Sequence, residues 1–390
     1  MKKILMLIMD AGGGHRASAD AIIEGLAHLY GDEVAATVVD VSKEISFPLM
    51  RPVDDVYRWL TADGVWLWKA LWRTGDRPWF PQVCSRMLTP LFSSTVERLI
   101  RSEEPDLVVG VHSLVNHIPL RVLRKKMRTD IPFATVITDM VTVHPTWVCP
   151  EVDYCMVPTE AARQQAVKFG MAPERVGVVG QPVSLKFATM HAEKHDLRQR
   201  LNMDQDRSAI LIVGGGDGIG PMYEIARAIA TRVPNAQMLV VAGRNRALKR
   251  KLEGTAWEIP THVYGFVDNM PDLMGASDLL ITKAGPGTLA EAFAAGLPVV
   301  ISGYIPGQEK GNVDYVLENQ AGAFATDPAE IAEIVREWLW SGSDAFQQEV
   351  ANAAALARPA AVLDIAERLY GMLQTAEQAA VRTKPEVVSV

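Results

Sequence analysis

Apolar residues alternate between two patterns along the chain. Short unbroken apolar runs, such as KILMLIM at residues 3–9, are typical of strands buried on both faces of a parallel sheet. The segment that follows, SADAIIEGLAHLY, has apolar residues three or four positions apart and predicts an amphipathic helix. The runs VAATVVDV, DLVVGVH, FATVITDM and YCMVP continue the series. This alternation predicts an α/β fold with a doubly wound parallel sheet.

The strand–helix series starts again at AILIVGGG and continues through AQMLVVAG, THVYGFV, LLITKAG and LPVVIS. A chain of 390 residues is long enough for about two domains. We therefore expect one doubly wound domain at 1–182 and a second at 183–355, then a C-terminal helix at 356–375 and a disordered tail at 376–390. Because ligands of such sheets bind beyond the carboxyl ends of the strands, the two domains are expected to face each other across a ligand-binding cleft.

The segment at about 45–90 departs from this series. It contains five of the nine tryptophans, Trp59, Trp66, Trp68, Trp72 and Trp79. One interpretation is an insertion that packs its own small helical core. The other is an amphipathic edge that lies in a membrane interface, where tryptophan is favoured.

Composition excludes several classes of protein. A formal net charge of −7 argues against nucleic-acid binding, which requires a basic surface. The three cysteines have no CxxC spacing, so neither a disulfide framework nor a zinc site is expected. Apolar runs are too short to span a bilayer, which leaves a soluble protein or one that binds a membrane peripherally.

Three glycine-rich turns lie between a predicted strand and a predicted helix, where backbone N–H groups can bind an anion. GGGDGIG, at 214–220, is neither a strict GxGxxG nor a P-loop, and the next strand does not end in an acidic residue. Dinucleotide binding is therefore disfavoured. The turn serves either the phosphate of another nucleotide or close helix–sheet packing.

The turn KAGPGTLAEA, at 283–292, contains Thr288 and Glu291 at the spacing of a capping box. Alternatively, Glu291 accepts hydrogen bonds from two ribose hydroxyls. The later loop SGYIPGQEKGN offers Gln308 and Glu309 to a hydroxyl-rich ligand, or is an ordinary solvated loop.

The third turn, DAGGGH, places His15 at the start of a helix. A neutral imidazole there could act as a general base, or the residue could merely begin the helix. Asp139, after the run ATVIT, could orient His15, be the base itself, or cap a turn.

Several motifs together resemble the monogalactosyldiacylglycerol synthases: LIMDAGGGHRASADAI, VHSLVNHIPLRVLR, VITDMVTVHPTW, ILIVGGGDGIGP, ITKAGPGTLAEAFAAGLPVVISGYIPGQEKGN and ALARPAAVLDI. These enzymes have two Rossmann-like domains in the GT-B arrangement and share a family with the cell-wall transferase MurG. The resemblance extends from about Lys3 to Leu373. It implies transfer of galactose from UDP-galactose to 1,2-diacylglycerol with inversion. The first domain would bind the lipid at a membrane surface, and the second would bind the UDP-sugar.

The resemblance also implies roles for individual residues. His15 corresponds to the proposed base, Glu291 to a ribose-binding glutamate, and Gln308 with Glu309 to a sugar-contacting pair. The other donor-binding candidates fall into three groups. The phosphate-loop positions are Gly215, Gly216, Gly285, Pro286, Gly287 and Thr288. The strand end expected to receive uracil is Gly265, Phe266 and Val267, and the two polar residues are Arg244 and Asn312. The acceptor candidates are Gly13, Gly14, His112 and Trp147, the last matching a tryptophan associated with lipid or activator binding. No metal ion or other cofactor is expected, because this fold usually neutralises UDP with backbone N–H groups and a helix dipole.

A basic helix face is predicted from Arg121, Arg124, Lys125 and Arg128, which follow the spacing i, i+3, i+4 and i+7. Such a face would bind anionic membrane lipid, unless it is only a solvated surface. Because the first strand begins at the N-terminus, with no plastid-targeting leader, we expect a bacterial, cytoplasmic protein on the inner face of the cell membrane.

Four alternatives remain at this stage. They are a UDP-glucose-dependent diacylglycerol glucosyltransferase, a MurG-like transferase, a UDP-sugar epimerase that needs no lipid, and a nucleotide-sugar sensor without turnover.

Overall fold

The computed structural model describes residues 1–10, 13–44, 64–77, 79–189, 192–341 and 344–382. The chain forms two compact units, which we call the first unit (Met1–Ser184 with Ala360–Val390) and the second unit (Leu185–Pro359). The division after Ser184 lies close to the boundary expected at 182. Residues 45–63, with Trp59, lie outside the described residues, as do 383–390.

The first unit contains a six-stranded sheet with the order β2-β1-β3-β4-β5-β6, in which all neighbouring strands are parallel. Its strands are β1 Lys2–Ile8, β2 Val34–Asp40, β3 Leu107–Gly110, β4 Phe133–Val136, β5 Tyr154–Val157 and β6 Val176–Val178. Alternate residues of β1 contribute to the hydrophobic cores on the two faces of the sheet. This explains the unbroken apolar run, because each face of a doubly wound sheet is covered by helices.

The helices of the first unit's N-terminal part are α1 Gly14–Tyr30, α2 Val41–Glu44, α3 Val65–Gly75, α4 Phe80–Glu103, α5 His117–Arg121 and α6 Glu160–Lys168. A π-helical segment, Val122–Met127, continues α5. Short 3-10 turns lie at Gly31–Glu33, Ser113–Val115, Pro145–Trp147 and Pro173–Arg175. Within the tryptophan-rich segment, Trp72 packs on the ring of His144 with centroids 4.5 Å apart, whereas Trp66 and Trp79 are 71% and 54% exposed.

The second unit has its own six-stranded parallel sheet with the order β12-β11-β10-β7-β8-β9. Its strands are β7 Ser208–Val213, β8 Ala236–Val241, β9 Thr261–Tyr264, β10 Leu279–Lys283, β11 Val299–Gly303 and β12 Gly322–Phe324. Its helices are α7 Lys186–Thr189, α8 Lys194–Arg200, α9 Met222–Arg232, α10 Arg246–Glu253, α11 Met270–Ala276, α12 Pro286–Ala294, α13 Lys310–Glu318, α14 Pro328–Ser341 and α15 Asp344–Ala355. Strand order reverses between β7 and β10, and this topological switch point is where such sheets bind ligands.

After the second unit the chain returns to the first unit as α16, Ala361–Arg382, which packs against α1. The contact is close, since a Cβ atom at Gly25 would lie 2.7 Å from the carbonyl oxygen of Val362. The expectation of disorder from 376 is wrong for residues 376–382. An alanine-rich, strongly helix-forming sequence and an ion pair of 3.0 Å between Glu377 and Lys2 extend the helix.

The two parallel sheets and their helices confirm the predicted GT-B-type α/β class. Among the helices in the described part of the chain, we find none with the length and apolar character needed to cross a bilayer.

Candidate functional site

In the first unit, the candidate site lies at the carboxyl ends of β1, β3 and β4, which are neighbours in the sheet. Gly13 adopts a left-handed conformation (φ 80°) between β1 and α1, which suits a residue without a side chain. His15 follows in the first turn of α1. Its Nδ1 lies 3.1 Å from the hydroxyl of Thr138, and the backbone of Val111 also interacts with the ring. The turn therefore fixes the imidazole above the sheet.

Two further rings accompany His15. The His112 ring meets it edge-on with centroids 4.5 Å apart, and Trp147 lies 5.9 Å from His15 and 6.3 Å from His112. His112 Nδ1 accepts a hydrogen bond from the backbone N–H of Leu114 at 3.1 Å, so its orientation is also fixed. The structure thus brings together three of the residues predicted for catalysis and acceptor binding.

Asp139 and Trp147 form a buried pair beside these rings. The Trp147 indole N–H donates to Asp139 Oδ2 at 2.6 Å, and the two residues are 2% and 5% exposed. Trp147, which matches a tryptophan associated with lipid or activator binding, has its ring packed in the interior, and its part in binding lipid stays a prediction. Asp139 is buried, whereas His15 is partly exposed, so the geometry favours His15 as the base and Asp139 as a support of Trp147.

Asn116 is a part of this site that the sequence did not reveal. Its side chain is fully buried, accepts a hydrogen bond from the Thr135 hydroxyl at 3.1 Å, and donates to the carbonyls of His112 and Trp147 at 3.2 and 3.4 Å. Asn116 therefore ties two of the three rings to β4. Thr138, which contacts His15, was also missed. Nothing in its local sequence distinguishes it from a strand-end threonine.

Burial keeps both histidines uncharged at neutral pH. It lowers the pKa of His15 to about 4, against the opposing effect of the hydrogen bond to Val111, and lowers the pKa of His112 well below its ordinary range. A neutral imidazole can accept a proton from a hydroxyl, whereas an imidazolium cannot.

In the second unit, the loop after β7 contains three glycines with positive φ, Gly215 (71°), Gly218 (59°) and Gly220 (107°). The backbone N–H of Arg244, which follows β8, donates to the carbonyl of Gly216 at 2.8 Å. Its guanidinium carbon lies 4.5 Å from the centre of the Phe266 ring. The structure therefore places the predicted phosphate loop, Arg244 and the strand end of Gly265, Phe266 and Val267 along one edge of this sheet. Phe266 is 62% exposed, so its face is accessible to a ligand.

Helix α12 begins at Pro286, with Gly285 as its N-cap. Thr288 therefore lies inside the helix, and the capping-box interpretation of Thr288 and Glu291 is wrong. Glu291 is only partly exposed, and desolvation raises its pKa to about 7. Gly287 has open space around its Cβ position, so the start of α12 is accessible.

The structure revises the roles of Glu309 and Asn312. The Glu309 side chain is 4% exposed; Oε1 lies 2.7 Å from the Lys283 ammonium, and Oε2 accepts from the backbone N–H of Ile305 at 2.8 Å. Both oxygens are engaged within the protein, which argues against the expected sugar contact. Asn312 is also buried and donates to the carbonyl of Ala284 at 2.8 Å, so it supports the turn after β10. Gln308 is partly exposed, as a ligand contact requires.

The predicted basic helix face is not formed. The α-helix gives way to a π-helical segment after Arg121, so residues spaced for an α-helix no longer share a face. Arg124 donates to the carbonyls of Thr129 and Ile131 and pairs with Asp153 at 2.9 Å. Arg128 lies beyond the helix end at φ 52°. Of the four predicted cations, Lys125 and Arg128 are exposed.

A different surface in the same unit is apolar. Four residues with four-residue spacing, beginning at the N-cap of α4 and continuing along the helix, form what we call the apolar stripe: Trp79, Val83, Met87 and Leu91, which are 54%, 41%, 75% and 50% exposed. The stripe lies in the tryptophan-rich segment for which two interpretations were open. The packing of Trp72 fits the first interpretation, and the exposure of the stripe fits the second.

The two parallel sheets, each with glycine-rich turns at its carboxyl edge, define a protein of the GT-B fold class. Residues 209–332 match the model of the glycosyltransferase family 28 C-terminal domain, and residues 15–183 match the model of monogalactosyldiacylglycerol (MGDG) synthase. The chain is 41% identical over 372 residues to monogalactosyldiacylglycerol synthase 2, chloroplastic, from Arabidopsis thaliana, covering 93% of this chain and 79% of the relative. The chain belongs to the monogalactosyldiacylglycerol synthase family of hexosyltransferases.

Solved structures agree on the fold. MurG from Acinetobacter baumannii aligns with a TM-score of 0.57 at 15% identity, covering 95% of this chain and 100% of that one. S. aureus MnaA, in a co-structure with UDP, aligns with a TM-score of 0.60 at 15% identity, covering 96% and 97%. The expected bacterial setting gains no support, because the Arabidopsis relative and a 39% identical relative from Spinacia oleracea are chloroplast proteins.

Proposed function

We propose that the protein transfers galactose from UDP-galactose to the free hydroxyl of 1,2-diacylglycerol, with inversion at the anomeric carbon. The observation that carries the proposal is the uncharged His15, fixed by Thr138 and Val111 at the carboxyl edge of the first sheet. The 41% identity to a named monogalactosyldiacylglycerol synthase supports the choice of sugar and acceptor.

The proposed reaction is a single displacement. The acceptor oxygen forms a bond to C1 of galactose, and its proton passes to His15. The bond between C1 and the phosphate oxygen breaks, and its electron pair leaves with UDP. Attack from the face opposite the leaving group inverts the anomeric centre. General-base assistance of this kind contributes about 10²–10⁴-fold in rate.

The second unit supplies candidate contacts for the donor. Its glycine loop and the start of α12 lie after β7 and β10, the strands at the switch point. Backbone N–H groups there suit a diphosphate, and Glu291 suits the ribose hydroxyls. We also propose that transfer needs no metal ion, since backbone N–H groups and a positively charged side chain can neutralise the charge on the diphosphate.

Membrane binding is proposed through the apolar stripe, with Lys125 and Arg128 providing attraction to anionic lipid. Apolar and aromatic side chains on a helix enter the interfacial region of a bilayer, and each nearby basic residue adds about 1 kcal/mol on an anionic surface. The test is sedimentation with vesicles of neutral or anionic composition. We expect Val83→Ser with Met87→Ser to reduce binding to both kinds of vesicle. Lys125→Ala with Arg128→Ala should reduce only the salt-sensitive binding to anionic vesicles.

Leu317→Ser is the matched control for the stripe, because Leu317 is similarly exposed (44%) but lies in the second unit. If the stripe variant sediments as the wild type does, the stripe is not the membrane contact.

The sugar is tested by offering UDP-galactose and UDP-glucose separately with diacylglycerol in vesicles and identifying the lipid product and its anomeric configuration. A β-galactolipid is expected. A glucolipid would replace the donor in the proposal, and an α-linked product would exclude inversion. Turnover of the UDP-sugar without any lipid product would point to an epimerase.

A further inference from the structure

Lys283 is a cation at the centre of the second sheet that the donor-site prediction did not include. It is the last residue of β10, beside the switch point. The pairing of β10 with β11 changes register here, because Thr282 pairs with Ile301 but Lys283 pairs with Gly303. Such bulges redirect a side chain and occur next to active sites. The bulge therefore changes the direction of the Lys283 side chain relative to the preceding residues of β10.

Two glycine turns approach this side chain. A Cβ atom at Gly285 would lie 3.0 Å from the Lys283 ammonium, and one at Gly215 would lie 3.6 Å from its Cε. Because neither glycine has a side chain, the backbone of these two turns and the Lys283 ammonium lie on the same surface. The Lys283 side chain is 27% exposed, so a ligand can reach it.

Glu309 holds the ammonium in place. Its carboxylate contacts Lys283 at 2.7 Å and is itself anchored by the backbone N–H of Ile305 at 2.8 Å. Because Glu309 is buried and Lys283 is not, the pair has one fixed member and one member that faces outward. A flexible lysine restrained in this way loses less entropy when it binds an anion.

We propose that Lys283 binds the diphosphate of the sugar nucleotide and neutralises charge on the departing UDP, and that Glu309 is the positioning residue that holds Lys283. The inference rests on the proposed function and deepens it. When the bond between C1 and the phosphate oxygen breaks, the electron pair passes to the diphosphate. A preorganised ammonium stabilises this charge more than it stabilises the bound donor.

The test is calorimetric binding of UDP, UMP and uridine to the full-length protein. Lys283→Met keeps the aliphatic length and removes the charge. We expect it to weaken UDP binding by about 10- to 100-fold, the worth of one charge-assisted hydrogen bond, and to leave uridine binding unchanged. UMP should be affected less than UDP. Lys283→Arg should restore part of the UDP affinity.

Lys310→Ala is the matched control. Lys310 is exposed, follows Glu309 in sequence and pairs with Asp314 on its own helix. Its loss should leave UDP binding unchanged. Should Lys283→Met be unfolded, Lys283→Gln and Lys283→Arg measured together serve the same comparison, since the arginine variant retains the charge.

A double-mutant cycle tests Glu309. If Glu309 acts only by positioning Lys283, Glu309→Gln weakens UDP binding in the wild-type background but adds nothing to Lys283→Met. Additive losses would overturn the positioning role. UDP binding unaffected by Lys283→Met, in a protein that binds UDP more tightly than UMP, would overturn the inference alone. A wild type that binds neither nucleotide would overturn the proposed function as well.

Discussion

Gly110, at the end of β3, is a position where one methyl group should disturb the whole ring cluster of the first unit. A Cβ atom there would lie 2.0 Å from Oδ1 and 3.2 Å from Cγ of Asn116. Real Cβ atoms do not approach an oxygen this closely, so Asn116 must move. Gly110 lies within a buried strand, and alanine would be compatible with its backbone.

The loss of stability follows from the hydrogen bonds that Asn116 makes. Its amide makes three hydrogen bonds, from the Thr135 hydroxyl and to the carbonyls of His112 and Trp147. Each contributes about 0.5–1.5 kcal/mol, so the loss of all three costs about 1.5–4.5 kcal/mol. We expect Gly110→Ala to lower the free energy of unfolding by about 1.5–4.5 kcal/mol, measured by urea unfolding followed by tryptophan fluorescence.

Gly371→Ala is the control, because Gly371 lies within α16 and its Cβ position has open space. That variant should be neutral or more stable by about 0.5–1 kcal/mol, from helix propensity. Asn116→Ala removes the obstructing amide, so adding it to Gly110→Ala should cost less than the sum of the two single changes. A Gly110→Ala protein within about 0.5 kcal/mol of the wild type would refute the reasoning, since that range is ordinary for changes that touch nothing.

Three further predictions concern Trp147, Glu291 and the removal of metal ions. Trp147→Phe replaces the indole with a smaller aromatic ring and removes the N–H that donates to buried Asp139, so it should lower the free energy of unfolding by about 1.5–3 kcal/mol. Adding Asp139→Asn to that variant should recover part of the loss, and equal stability of Trp147→Phe and wild type would contradict this. The pKa of Glu291, raised from 4.5 to about 7 by burial, means that folding favours its protonated form, so its destabilising effect is full above pH 7 and fades as the pH falls toward 4.5. Glu291→Gln should therefore stabilise the protein by about 1–3 kcal/mol at pH 8 and by little at pH 4.5. UDP affinity should fall below pH 7 in the wild type but not in Glu291→Gln. A variant with the same pH dependence of unfolding and of UDP binding as the wild type would contradict the raised pKa of Glu291. Exhaustive EDTA treatment should leave sugar transfer unchanged when no metal is added back, and a loss restored by a divalent ion would show that metal independence is wrong.

The elements that could be predicted are those that depend on local pattern. The unbroken apolar run of β1 and the spacing in α1 identify a buried strand and an amphipathic helix, and their repetition gives the two sheets. The glycine turns could also be located, because the positive φ found at Gly13 and Gly215 strongly favours glycine.

What the sequence did not reveal depends on distant contacts. Asn116 and Thr138 acquire their roles only when β3 and β4 become neighbours, and Lys283 only when β10 pairs with β11 out of register. The basic face failed because the π-helical segment after Arg121 departs from α-helical spacing. The burial of Trp147 could not be predicted either, because nothing in the sequence HPTW indicates whether its ring is buried or exposed.

The most direct test of the central claim is galactolipid formation by wild type and His15→Ala, measured with UDP-galactose and diacylglycerol in anionic vesicles, together with UDP binding by both proteins. The account predicts galactolipid from the wild type, a loss of about 10²–10⁴-fold for His15→Ala, and equal UDP affinity. Undiminished transfer by His15→Ala would contradict the assignment of the base. Absence of any glycolipid from a wild type that binds UDP would contradict the proposed reaction.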